Sequence, residues 1–178
     1  MTSFYSKEEL RLLGLKKVGI NVLISRKASI YGAELIEIGD NVRIDDYCIL
    51  SGNIKVGSNV HISAFVALYG KCGIILEDYS GISPRSTIFS AMDDFTGDYL
   101  IGPIHKEHQI NVSGGPVVLK KYSQIGAHCV VFPCITIEEG AVVGAMSLVN
   151  KTIASWTVVA GIPAKFLKHR SAKLLELI

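Results

Sequence analysis

The sequence predicts an all-β solenoid, and three observations carry that reading. Aliphatic residues recur at every sixth position, small or β-branched residues fall four places after them, and the pattern covers most of the 178 residues. A period of six fits neither a helix face, which recurs at about 3.6, nor a lone strand alternating at about 2. It is the period recorded for parallel β-helices built of hexapeptide units. From Ile125 the units read Ile-Gly-Ala-His-Cys-Val, Val-Phe-Pro-Cys-Ile-Thr, Ile-Glu-Glu-Gly-Ala-Val and Val-Gly-Ala-Met-Ser-Leu.

The elements follow in chain order within one domain, 1–178. Residues 1–20 read as a cap: Ser6-Lys-Glu-Glu9 has the form of a capping box, Leu10, Leu12 and Leu13 follow, and Gly14 stops the turn, which predicts a short helix over the open first coil. Residues 21–162 form the solenoid. Its anchors are Ile38, Ile44, Leu50, Val56, Ile62, Leu68, then Leu76 and Ile82 after a two-residue slip, then Leu119, Ile125, Val131, Ile137, Val143 and Val149. The slots four places on hold Val42, Cys48, Val60, Val66, Cys72, Ser80, Ser86, Ser123, Cys129, Ile135, Ala141, Ser147 and Ile153. Both sets are expected to point inward, with three hexads closing each coil and the coils stacking on one another. Cys48, Cys72 and Cys129 are therefore read as small core residues rather than disulfide partners or metal ligands, and Cys134 as outward. Residues 90–115 break the repeat with a polar, glycine-containing excursion that a compact solenoid does not keep without use. Residues 163–178 carry Phe166, Leu167, Leu174, Leu175 and Leu177 and predict a short helix closing the last coil.

A net charge of +2 with no run of five like charges points away from nucleic acid and from membrane surfaces. No apolar stretch approaches the roughly 18 residues of a transmembrane helix, and the first residues lack a signal peptide's apolar stretch, so the chain reads as cytoplasmic.

The run from Ile125 through Val159-Ala-Gly-Ile-Pro-Ala-Lys165 resembles the signature of the hexapeptide-repeat acyltransferases, which include galactoside, maltose and xenobiotic acetyltransferases and nucleotide-sugar N-acetyltransferases. The resemblance implies a left-handed coil, a homotrimer, acetyl-CoA as co-substrate, no metal, and active sites in the clefts between subunits. Two other classes share the solenoid. A γ-type carbonic anhydrase would need zinc-binding histidines, and the His-x4-His pair of that family is absent; a non-catalytic binding or scaffold module is the other.

Coils of 18 residues place residues 18 apart on neighbouring strands, about 4.8 Å from each other. His61 then stacks on Arg43 and, across the slip, on Gly81; Ser63 lies between Asp45 and Ser83; Phe65 lies between Tyr47 and Arg85. Arg43, Asp45, Asp46, His61, Ser63, Ser83 and Arg85 gather along one corner and its adjoining surface as a candidate acceptor cleft. Acyl transfer needs a base near the acceptor proton, and histidine titrates in the useful range. His61 is the first choice, with His105 and His108 as further candidates, and Asp93 or Asp94 from a neighbouring subunit orients its ring. In the galactoside and maltose enzymes the catalytic histidine sits early in the excursion, at the place Asp93 holds here. Ser63 takes the place of the family's oxyanion-steadying asparagine.

On the donor side the resemblance implies that Ala127, Gly144, Ala145, Ala160 and Gly161 line the pantetheine arm, that Asn150 and Lys151 border the adenylate end, and that Lys165 and Lys168 face the phosphates. The expected reaction is acetyl transfer to an amine or hydroxyl of a nucleotide-linked or envelope-polysaccharide sugar, the amine favoured by the four carboxylates Asp45, Asp46, Asp93 and Asp94. Direct attack on the thioester is expected rather than an acyl-enzyme, since the three slot cysteines face inward.

Overall fold

The computed structural model describes residues 3–177. They wind as a left-handed parallel β-helix of about 7 turns. One face is an eight-stranded sheet whose first seven strands, Leu23–Ile24, Arg43–Ile44, His61–Ile62, Gly81–Ile82, Gln124–Ile125, Val142–Val143 and Thr157–Ala160, run parallel, rung by rung. The remaining faces belong to a ten-stranded sheet. Its long strands Ile49–Val56 and Ala67–Leu76 pair over most of their length.

Every anchor from Ile38 to Val149 is at most 2% exposed. Burying each of these side chains contributes about 1.5–3 kcal/mol, and the aliphatic column is the main favourable term in the fold. The stack begins earlier than the anchors alone indicate, because Lys17–Val18 and Leu23–Ile24 form a first coil on Glu37–Ile38 and Arg43–Ile44. The inward slots hold as expected except for Cys72, which is exposed. The two-residue slip is the reason: Gly70, Gly73 and Ile74 turn inward in that strand and leave Cys72 outside, its N–H donating to Ser90 Oγ at 2.8 Å.

The corners are turned by residues with φ between 52° and 63°, an arrangement that costs a non-glycine residue about 1–2 kcal/mol. Ladders along the axis offset this. Asn21, Asn41 and Asn59 hydrogen-bond in series at 2.6 and 3.2 Å. Tyr79, Tyr122 and Trp156 continue the same corner as stacked rings, and Tyr47 and Phe65 stack at 4.9 Å on another.

Both ends are closed. The helix Lys7–Leu12 carries the expected capping box, Ser6 Oγ accepting from Glu9 N–H and the Glu9 carboxylate from Ser6 N–H. Arg26 holds Glu9 with two hydrogen bonds of 2.6 Å. At the other end the chain departs from expectation. Instead of a helix from Pro163, Lys165–His169 returns as an antiparallel strand on Thr157–Ala160, followed by a 3₁₀ turn, Lys173–Leu177. An open solenoid edge offers unpaired backbone groups that a strand satisfies and a helix does not. Arg170 then caps the aromatic ladder, donating to the carbonyls of Tyr122 and Gly140 at 2.7 and 2.9 Å. The excursion leaves the stack as an antiparallel hairpin, Ala91–Asp93 with Val112–Gly114.

The Arg26 guanidinium, followed by the Ser6 N–H, pulls the Glu9 carboxyl down from 4.5 to about 2. The folded cap favours the ionised form, so its contribution is present above 4.5 and is lost as pH falls toward 2. The Leu10 methyl resonances should therefore report the cap loosening across that window, and Arg26→Ala should move the transition upward. An unchanged transition in Arg26→Ala would show that the pair does not hold the cap.

Candidate active site

The eight-stranded sheet sets out two outward columns. Arg43, His61, Gly81, Gln124, Val142 and Val158 stack in register. Two residues further along each rung stand Asp45, Ser63, Ser83, Gly126, Gly144 and Ala160, fixed by inter-coil bonds such as Ser63 N–H to Ile82 O at 3.0 Å, Ser83 N–H to Ile125 O at 2.8 Å and Gly126 N–H to Val143 O at 2.8 Å. With about 4.8 Å per rung, this face changes along the axis from carboxylate, imidazole and hydroxyls to bare backbone and a methyl group. Polar groups that can hold an acceptor come first, and a smooth strip follows.

In the polar half, His61 Nε2 lies 2.8 Å from Asp45 Oδ2, and Arg43 Nε donates to Asp45 Oδ1 at 2.7 Å. Partial burial opposes charge on Asp45, but the hydrogen bonds from Arg43 and His61 outweigh it and keep the carboxyl below its ordinary range. The ring of His61 is thus oriented within its own chain, by Asp45. Asp46 faces the adjoining corner, where it accepts from Ser25 Oγ at 2.5 Å and Lys27 Nζ at 3.0 Å. Arg85 packs its guanidinium over Phe65 at 4.8 Å. Of the expected cluster, Arg43, Asp45, His61, Ser63 and Ser83 share the face, while Asp46 and Arg85 belong to the corner beside it.

The smooth half is dictated by close stacking. A Cβ on Gly126 would lie 2.6 Å from Ala145 N, and one on Gly144 would lie 2.8 Å from the Ala160 Cβ. Lys165 pairs directly with Ala160, and Lys168 with Val158, so both lysines stand on the strand beside the end of the strip. Gly161 closes it, its N–H donating to Ser147 Oγ at 3.0 Å. Ala127 and Ala145 follow the two glycines at the turn out of the face, and Asn150 and Lys151 are exposed past Leu148–Val149.

The hairpin carries the remaining candidates. Asp94 is taken up locally by Thr96 N–H and Asn111 Nδ2, each at 2.8 Å, and the Thr96 hydroxyl, followed by these two bonds, holds its carboxyl low. Asp93 is half-buried on the hairpin strand opposite Val112, with no side-chain hydrogen bond or ion pair among the described residues. His105 and His108 lie in the outer loop, His108 in the 3₁₀ turn Glu107–Gln109. That loop exposes Phe95, Ile101 and Ile104 at 67%, 52% and 87%. Among the described residues no group of three His, Cys, Asp or Glu side chains is placed to hold a metal ion.

Sequence reasoning missed Gln124, Gly126 and the part played by Gly81. The signal was present in the column register, which lists 81, 124 and 126 beside 61 and 83, but none of the three carries a group that proton transfer calls for.

Comparison with known proteins finds relatives of the same repeat family and fold. Residues 36–70 match the family described as bacterial transferase hexapeptide (six repeats). The dTDP-4-amino-4,6-dideoxy-D-glucose acyltransferase of Escherichia coli is 39% identical over 98% of this chain and 93% of its own length. The galactoside O-acetyltransferase of Escherichia coli (strain K12) is 25% identical over 82% of this chain and 70% of its own. Among solved structures, AntD, an N-acyltransferase from Bacillus cereus in complex with dTDP and 3-hydroxybutyryl-CoA, is 49% identical with a TM-score of 0.97, covering 99% of this chain and 95% of that one. AntD structures also include variants of one serine and of an aspartate ten residues after it.

Proposed function

The chain belongs to the hexapeptide-repeat acyltransferases, and we propose that it moves an acyl group from CoA to the amino group of a dTDP-linked 4-amino-4,6-dideoxy sugar. The observation that carries this reading is the single sheet face whose polar half, Asp45, His61, Ser63 and Ser83, runs directly into the smooth strip of Gly126, Gly144 and Ala160. A pantetheine arm needs a surface without side chains, and small residues permit that close approach. Lys165 and Lys168 at the end of the strip suit the phosphates of CoA. The thioester then lies at the junction of the two halves, beside Ser83.

The assembly is a homotrimer with sites between neighbours. The exposed apolar residues of the hairpin loop, Phe95, Ile101 and Ile104, favour a covered position against another copy. The hairpin brings Asp93 to the neighbour's face in that arrangement.

The acceptor nitrogen attacks the thioester carbonyl and forms the N–C bond. The carbonyl oxygen takes negative charge beside Ser83 or a backbone N–H, the C–S bond breaks, and CoA leaves as a thiolate that takes up a proton. A sugar ammonium ion has a pKa of about 8, so it needs only a modest proton acceptor, whereas a hydroxyl needs a stronger base. Two groups compete for that proton, His61 and Asp93. We assign it to Asp93: it stands at the place of the catalytic histidine of the galactoside enzymes, no side chain among the described residues bonds to it, and Ser83 and Asp93 have the spacing of the serine and aspartate varied in AntD. His61, held by Asp45, lines the acceptor half and orients the sugar.

Asp93→Asn should lower turnover by about 10²–10⁴-fold at unchanged CoA affinity. Refolding Asp93→Asn together with Ser83→Ala should restore part of the activity, because some mixed sites then hold both wild-type residues; no recovery would place the whole site within one chain. The dTDP-linked amino sugar should be acylated faster than its hydroxyl counterpart, measured by thiol release, and the reverse order would overturn the amine assignment.

Lys165→Ala with Lys168→Ala should weaken CoA binding more at low salt than at high salt, since ions screen charge pairs. Calorimetry showing equal loss at both salt concentrations would point to damage of the C-terminal strand instead.

A further inference from the structure

The outward column of the polar half has one gap. Arg43 and His61 are followed by Gly81, which has no side chain, and then by Gln124. Gln124 does not stand straight out from its rung. Its amide folds back across the gap, Nε2 donating to the Tyr79 carbonyl at 3.2 Å, and Oε1 comes within 2.5 Å of the point a Cβ on residue 81 would occupy. The result is a recess of about 210 Å³ between His61 and Gln124, with Ser63 and Ser83 along its side. That is several times the roughly 30 Å³ share of one water. It is smaller than the roughly 300–1,000 Å³ of a pocket that swallows a whole ligand. Such a recess admits one ring and leaves a diphosphate and a base outside.

We infer that this recess seats the amine-bearing sugar ring of the acceptor, and that Gly81 and Gln124 are its specificity-determining residues: Gly81 by letting the Gln124 side chain fold across its rung, Gln124 by offering an amide oxygen to the ammonium group. The location fits the reaction. His61 and Gln124 are two rungs apart, about 10 Å, and Ser83, where the thioester is placed, flanks the Gly81 rung between them. A ring held there presents its nitrogen at the boundary of the polar and smooth halves. The recess tells amine from hydroxyl because an amide oxygen bonds an ammonium with charge assistance. This inference rests on the acyl-transfer reading above, and wild-type turnover is its control.

Gly81→Ala is the direct test. The added methyl meets only the far end of the flexible Gln124 side chain, so the coil is kept while the amide is pushed out of its place over the Gly81 rung. The KM for the dTDP-linked amino sugar should rise about ten- to a hundredfold, the loss expected for a hydrogen bond to a charged group, with CoA affinity unchanged. Gln124→Met, which keeps the bulk and removes the amide, should raise the same KM and narrow the preference for amine over hydroxyl. Wild-type activity with an unchanged acceptor KM in both variants would overturn the recess as the sugar seat while leaving the reaction intact. A wild-type protein that binds CoA but acylates no dTDP-linked amino sugar would instead bring down the reading on which the inference rests.

Discussion

Parallel pairing of successive coils, locked by the buried aliphatic column, is the constraint on which the rest of the molecule depends. Once Ile44, Ile62, Ile82, Ile125 and Val143 must point inward on consecutive rungs, the outward neighbours of each have fixed addresses about 4.8 Å apart. A functional surface on such a scaffold is written as columns. The residues of the polar half and the smooth strip are far apart in sequence, yet the stack aligns them along one line without any special loop.

That alignment also explains the division of labour along the axis. The rungs at residues 43–45 and 61–63 carry side chains that hydrogen-bond one another and, with the 81–83 rung, leave a recess, while those at 124–126, 142–144 and 158–160 bring glycine and alanine to the surface. The glycines of the smooth half are required by stacking in any case, since a Cβ on Gly126 would meet the backbone of the next coil. A groove for a long thin ligand therefore costs this fold nothing additional. On the stack Asp45 is already held by Arg43 and His61, and the hairpin that interrupts the stack carries Asp93.

Much of this was legible in the sequence, because the period of six exposes the inward set directly: every anchor is buried, and the stacking of Arg43, His61 and Gly81 follows from counting. Counting failed at Cys72, where a two-residue slip reverses which side faces inward and only the strand geometry shows which residues absorb it. It failed again at the C-terminus, where leucine and lysine spacing suggested a helix but an unpaired solenoid edge drew Lys165–His169 into a strand. In the candidate site, counting brought out Arg43, Asp45, His61, Ser63 and Ser83 as neighbours on one face but passed over Gly81, Gly126 and Gln124, which carry no proton-transfer group that would mark them.

The central claim is that donor and acceptor meet on one sheet face at the junction of Ser83 and Gly126. A crystal structure with CoA and the dTDP-linked 4-amino sugar bound together tests it most directly. The account predicts the thiol sulfur beside the Ser83–Gly126 junction, the pantetheine arm over Gly144 and Ala160, and the sugar nitrogen facing the sulfur from the side of His61. A CoA thiol lying on a different face of the solenoid, or a sugar bound away from the His61 and Gly81 rungs, would contradict it.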